Sequence, residues 1–281
     1  MIKPIKKGNE LLAEMNSRKA DPGTIDIWWL GQSGYLIHWN GKRILLDPYL
    51  SDSLTKKYVG TDKPHTRISE LVIDPALLTN IDFISSSHVH TDHLDPNTLK
   101  PLFVNNPECT FIIPEAHRVI ASVRADCPMD KPIGLDLGFM HDTDDVSFIA
   151  VPAAHETLDR DHRGHSLYLG YIIKIGPWTL YHSGDTILFP GMEDILKDYP
   201  IDVSFLPING ADPKRKVAGN LNAAEAVWLA TQINTKWVIP GHYDMFEFNT
   251  ADPNDFIALA DLEGMQYKVM QLGELFTLTK H

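Results

Sequence analysis

The chain is expected to fold as an αββα sandwich of the α/β (α+β) class, two mixed β-sheets packed face to face with helices outside. Three observations carry that expectation. Short β-rich runs recur in two successive blocks, each followed by helical segments. The residue types suited to metal chemistry stand in order just past apolar runs, at His88–His93, His155, Asp185 and His242, so one folded unit has to hold them all. No low-complexity segment, repeat of solenoid period or interdomain linker interrupts the chain, so residues 1–281 read as one domain with a helical extension over 1–23.

That extension places Leu11, Leu12 and Met15 at helical spacing within Asn9–Lys19, before Asp21-Pro22-Gly23 breaks the pattern. Ile25–Leu30, Gly34–Trp39 and Lys42–Leu46 then read as strands, joined by Gly31-Gln32-Ser33-Gly34 and by Asn40-Gly41, a strong hairpin signal. Tyr49–Asp74 is irregular and polar. Connections of that length in a compact domain are functional or disordered, and this one is assigned to the mouth of the site. Strand Ile81–Ser85 leads into the histidine cluster, and Asp95-Pro96 opens a helix with Asp95 as N-cap and Pro96 at its first position. Strand Thr110–Ile113 and helix Glu115–Arg124 complete the first block. In the second block Val146–Ala153, Leu167–Ile175, Trp178–His182 and Val203–Leu206 are strands. Asn222-Ala223-Ala224-Glu225 is a capping box that starts a helix reaching Ile233, ahead of strand Lys236–Ile239.

The run Ser87-His88-Val89-His90-Thr91-Asp92-His93 is the densest chemical signal in the chain. Three imidazoles and a carboxylate at a strand end have no packing use, whereas imidazole and carboxylate together suit zinc, manganese or iron. Alternation lets His88 and His90 face one ion while Asp92 and His93 turn to a second. His155, Asp185 and His242 each follow an apolar strand, where catalytic groups concentrate, and Gly184 and Gly241 permit the tight backbone that aims a side chain inward. A two-metal hydrolase is the leading reading.

The ordered set His-x-His-x-Asp-His, lone His, lone Asp and final His resembles the metallo-β-lactamase superfamily. Within it, Trp28-Trp29-Leu30-Gly31-Gln32-Ser33-Gly34, Leu46-Asp47-Pro48, Leu180-Tyr181-His182-Ser183-Gly184-Asp185 and Val238-Ile239-Pro240 before His242 are similar to the L-ascorbate-6-phosphate lactonase branch. The resemblance runs from Ile25 to Thr279. It implies that His88, His90 and His155 hold one divalent ion, that Asp92, His93 and His242 hold the other, and that Asp185 bridges both. It also implies that Asp92 is catalytic, orienting a metal-bound hydroxide that opens a small sugar-type lactone, with or without a phosphate. A phosphodiester hydrolase acting on cyclic or small nucleotides is the enzymatic rival, and a non-catalytic metal-binding scaffold is the rival from another class.

The composition narrows the partners. A net charge of −12 argues against long nucleic acids but leaves a small anionic substrate open, provided local cations receive it. Candidates for that contact are Arg67, Asn209 and the run Lys214-Arg215-Lys216, each weighed against an ordinary solvated loop, and His165 is a candidate proton donor to a leaving oxygen. No stretch approaches the roughly 20 apolar residues of a membrane span. Met1–Gly8 lacks the apolar core of a signal peptide, so a cytoplasmic protein is expected; a homo-oligomer is neither required nor excluded. Cys109 and Cys127 are read as reduced, structural residues, and Trp28 and Trp29 as core. His182 is either a hydrogen-bond partner of the metal site or a buried structural residue. His38, His117, His141 and His281 have no partner motif and are read as structural.

Overall fold

The chain enters the first sheet through β1 (Thr24–Gly31), β2 (Gly34–Trp39) and β3 (Lys42–Leu46), an antiparallel meander, and continues with β4 (Phe83–Ser85), β5 (Thr110–Pro114) and β6 (Pro132–Leu135), all parallel to β3. It then crosses to a second sheet of β7 (Met140–Asp142), β8 (Val146–Pro152), β9 (Leu169–Ile175), β10 (Trp178–His182), β11 (Val203–Pro207) and β12 (Trp237–Gly241). That sheet repeats the plan, antiparallel from β7 to β10 and parallel from β10 to β12. Finally β13 (Leu275–Thr279) returns to pair antiparallel with β1, giving the order β13-β1-β2-β3-β4-β5-β6 opposite β12-β11-β10-β9-β8-β7. The architecture is the αββα sandwich expected from the sequence. The structure, a computed structural model, describes residues 1–280.

The strands read as near-continuous apolar runs because they are covered on both faces. All of β2 and β10 is buried, and Ile37, Leu45 and Ile84 of the first sheet share one core with Phe148, Ile172 and Phe205 of the second. Burying each such side chain contributes about 1.5–3 kcal/mol. Trp28 and Trp29 lie in that core, as expected.

Helices flank the sheets: α1 (Gly8–Ser17) precedes β1, and α2 (Ser53–Lys57) is a short turn inside the long polar connection. Next come α3 (Pro96–Asn105) and α4 (Arg118–Ala125) between β4, β5 and β6, then α5 (Met192–Leu196) and α6 (Ala223–Gln232) between β10, β11 and β12, and α7 (Pro253–Leu262) before the return strand. The capping box of α6 is complete, with Asn222 and Glu225 each accepting from the other's backbone amide at 2.9 Å. The extension is tied down by the buried Asp26, which accepts from Arg18 at 2.6 and 2.7 Å and from Thr277 at 2.7 Å. Burial pushes the Asp26 carboxyl up, but His38, Arg18 and Thr277 outweigh it and hold it at about 2.

One local expectation needs correction. Glu115–Arg124 is not one helix: a 3₁₀ turn at Glu115–His117 precedes α4, and Gly134 lies against the Glu115 side chain. Asp95 is the N-cap residue of α3 with Pro96 following it, as expected, although its carboxylate accepts from Thr98 Oγ1 and Ser53 Oγ at 2.7 and 2.9 Å rather than from a backbone amide. The weakly patterned β6, β7, α5, α7 and β13 were not foreseen.

Candidate metal centre

Brought to one end of the sandwich are the loops that follow β4, β8, β10 and β12, the carboxyl ends where open α/β sheets bind ligands. Each contributes one part of the histidine and aspartate set. After β4, Ser87 to His93 folds as a tight turn closed by His93 N and Leu94 N donating to His90 O. After β8 comes His155, whose Nδ1 donates to Gly219 O at 2.7 Å. Asp185 follows β10 through Gly184, whose φ of +60° and approach to Ser87 leave no room for a Cβ. Gly241 ends β12 in ordinary backbone, but a Cβ there would meet the Tyr35 hydroxyl at 2.8 Å. His242 itself holds φ +66°, and Gln32 and Asp47 are likewise left-handed at +55° and +40°. Non-glycine residues in that region cost energy and persist where the surroundings over-determine them, a pattern concentrated at functional sites.

All seven side chains converge. His88, His90 and His155 present nitrogens within 4.8 Å of one another, as do the ligand atoms of Asp92, His93 and His242, and those of His88, His93 and Asp185. Asp185 Oδ2 lies between the two sets, 3.3 Å from His93 Nε2, 3.4 Å from His242 Nε2 and 3.7 Å from His155 Nε2. Asp92 Oδ2 is 3.7 Å from the Nε2 of both His93 and His242 and accepts from Gln32 Nε2 at 3.1 Å.

The residues fit divalent metals on two grounds. First, His88 Nε2, His93 Nε2 and Asp185 Oδ1 are buried and without a hydrogen-bond partner, an expensive condition for polar atoms unless a cation satisfies them. Second, the opposite ring nitrogens are already engaged, which fixes the tautomer that points Nε2 at a metal. His93 Nδ1 donates to Asp47 Oδ2 at 2.6 Å, and His88 Nδ1 lies 3.0 Å from Ser87 Oγ, which donates to Asp47 at 2.6 Å. Asp47 is thus a buried hub that sequence reasoning passed over; its signal was the Leu46-Asp47-Pro48 end of β3. His182 belongs to the same hub, its Nε2 3.1 Å from Asp47 Oδ2 but too oblique for a formed hydrogen bond.

Electrostatics follow from this packing. Burial holds His88 and His155 below the ordinary imidazole range. Burial acts the same way on His93, but Asp185, Asp47 and Asp92 outweigh it and raise His93 well above that range. Asp47 is driven the other way, burial being overcome by His182 and His93. The metal-free protein is therefore expected to be most stable near about pH 6.5, the imidazole value in an unfolded chain. Below it the unfolded chain takes up protons that His88 and His155 refuse. Above it the contribution of His93, present in full below the unfolded value, is lost as pH rises through the folded one. Denaturant unfolding of chelator-treated protein across pH checks this; a stability that keeps rising through pH 8 contradicts it.

The substrate side differs from expectation in several residues. A cavity of about 210 Å³ opens over Asp92, His90, His155, Asp185 and His242. Of the candidate substrate contacts only Lys216 lines it, paired with Asp62 at 2.7 Å. Arg67 is instead buried between the Tyr49 and Phe246 rings with its guanidinium donating to Ser51 O at 2.7 Å, since the loop backbone supplies the acceptor it needs. Asn209 and Arg215 are consumed by a network with Asn249 and Asn220, and Lys214 stays exposed outside the lining. His165 is held by Asp161 at 3.3 Å, away from the cavity wall. The long connection after Tyr49 does form the mouth, contributing Lys57, Tyr58, Lys63 and His65, none of which stood out in the sequence. His38 is buried against Asp26, His117 donates to Leu167 O, and His141 packs edge-on to Phe83, whereas His281 lies outside the described residues. Cys109 and Cys127 are free thiols.

Comparison with known proteins agrees with this geometry. Residues 26–242 match the family model of the β-lactamase superfamily domain. Over 258 residues the chain is 28% identical to a metal-dependent hydrolase of Caldivirga maquilingensis, covering 89% of this chain and 96% of that one. It is 26% identical to the probable L-ascorbate-6-phosphate lactonase UlaG of Salmonella paratyphi B, over 96% of this chain and 85% of the relative. A metallo hydrolase of Ignicoccus hospitalis shares the fold with a TM-score of 0.67 at 23% identity, covering 92% of this chain and all of that one. With two mixed sheets, histidines and aspartates gathered at one end, and a family match spanning β1 to the last of those histidines, the chain belongs to the metallo-β-lactamase superfamily.

Proposed function

We propose that this metal-dependent hydrolase opens a small, anionic, sugar-type lactone with two divalent ions, zinc or manganese foremost and iron a further fit to the donor set. One observation carries the reading: His88 Nε2, His93 Nε2 and Asp185 Oδ1 are buried without hydrogen-bond partners and gather beneath an open cavity. When bound, ions at these positions lower the pKa of water and polarise a substrate oxygen. The chain does the rest. Asp47, Ser87 and the Gly219 carbonyl hold the imidazoles in one tautomer and orientation. Gln32 fixes the Asp92 carboxylate, leaving it to accept a proton from the attacking water. The intact set of seven weighs against a non-catalytic scaffold.

Support for an anionic substrate comes from the mouth, where a chain of net −12 places Lys57, Lys63 and Lys216 around the cavity. The lactone itself is supported by the probable activity of the Salmonella relative. The test is a panel of lactones, esters, and cyclic and linear phosphodiesters on metal-loaded protein. A phosphorylated lactone is expected to give the highest kcat/KM, and Lys57→Ala to raise its KM about tenfold relative to a neutral lactone, as befits a lost charged hydrogen bond. Preferential turnover of a phosphodiester would replace the lactone reading, and no turnover with metals bound would favour the scaffold.

A further inference from the structure

We infer that His65 is a specificity-determining residue whose Nε2 accepts a hydrogen bond from a hydroxyl of the substrate as it lies in the cavity beside Asp92 and His242. The inference rests on the lactone reading above and adds which feature of the lactone is read.

His65 lines the cavity from the long connection after Tyr49. Its Nδ1 lies 2.8 Å from Lys63 O. A carbonyl oxygen only accepts, so the proton is on Nδ1 and the lone pair of the neutral ring is on Nε2. Burial holds the ring below the ordinary imidazole range, which keeps that lone pair free at neutral pH. Among the described residues Nε2 has no hydrogen-bond partner, and it is not sealed from solvent.

The ring is held far more firmly than a mouth residue requires. It stacks on Tyr58 at 4.6 Å and meets Phe246 and Phe248 edge-on at 5.4 and 5.2 Å. Its backbone is pinned as well: Thr55 Oγ1 donates to His65 O, and the next residues pair with the segment after His242 through Glu247 N to Thr66 O and Ile68 N to Met245 O. Three rings and a backbone pairing thus fix one acceptor relative to the metal centre, the preorganisation that specificity needs.

The neighbouring groups identify the ligand chemistry. The three mouth lysines only donate, and the Asn249 side-chain oxygen is taken by Arg215 and Asn209. An uncharged acceptor among cations suits a neutral donor on the same molecule as the anion, and a hydroxyl is the donor a sugar-type lactone carries. Sites that bond a substrate hydroxyl discriminate against the analogue lacking it, because the acceptor is otherwise left unpaired.

The experiment compares glucono-δ-lactone with δ-valerolactone, the same ring without hydroxyls, in the metal-loaded wild type, His65→Phe and His65→Gln. The ratio of the two kcat/KM values cancels differences in folded or metal-loaded fraction. Wild type is expected to favour the hydroxylated ring, His65→Phe, which preserves the stack, to lower the ratio about tenfold, and His65→Gln, which restores an acceptor, to recover much of it. An unchanged ratio in His65→Phe, or equal ratios in the two variants, overturns the assignment while leaving the lactonase reading intact. Turnover of neither neutral ring by wild type overturns the assignment, and the phosphorylated lactone of the substrate panel then decides the lactonase reading separately.

Discussion

Replacing Asp92 by Asn is expected to lower kcat by about a hundred- to ten-thousand-fold while the metal-loaded protein melts near the wild-type temperature. The side chain is 16% exposed, so it reaches the cavity while Gln32 and the Nε2 atoms of His93 and His242 surround Oδ2. An amide fills the same volume and so preserves the packing. It carries no charge and accepts a proton far less readily. Kinetics set beside thermal unfolding of the loaded variant separate the two effects. Unaltered turnover would remove Asp92 from the chemistry, and a fall in bound metal matching the fall in rate would reduce it to a ligand.

Asp47→Ala is expected to destabilise the metal-free protein by about 3–5 kcal/mol, the cost of removing one partner from a buried charged cluster. Fully buried, the Asp47 carboxylate accepts from Ser87 N at 2.7 Å, Ser87 Oγ at 2.6 Å and His93 Nδ1 at 2.6 Å. Removing it leaves three donors unpaired and frees His93 to rotate. Asp47→Asn keeps the left-handed backbone that asparagine tolerates and is expected to weaken metal binding about 10- to 100-fold. Denaturant titration of the apo-protein and competition with a chromogenic chelator measure the two effects. A variant as stable as wild type with unaltered metal affinity would mean that His93 is oriented by something else.

The candidate metal centre was legible because its residues are chemically unusual for their position. A strand end carrying His88, His90, Asp92 and His93 has no apolar use, and the later His155, Asp185 and His242 stand after strands whose apolar runs are easily read. The sheets were legible for the same reason, being apolar on both faces. What escaped is held by contacts distant in sequence. Arg67 reads as a free cation, yet Ser51, Tyr49 and Phe246 consume it; His65 reads as one more loop histidine until Tyr58, Phe246 and Phe248 close around it. Strands such as β7, with exposed Met140 and half-buried His141, carry too little alternation to announce themselves. Asp47 looked like the end of a strand, and only the packing of β3 beside β4 places it under Ser87 and His93.

The most direct test is the metal content of protein stripped with a chelator, reloaded with zinc or manganese and freed of excess ion. Five imidazoles and two carboxylates converging as His88, His90 and His155 on one side, Asp92, His93 and His242 on the other, and Asp185 between them exceed what one tetrahedral ion takes up. The account predicts a stoichiometry saturating at two ions per chain, with hydrolysis appearing as the sites fill. Saturation at one ion, with full activity, would contradict it.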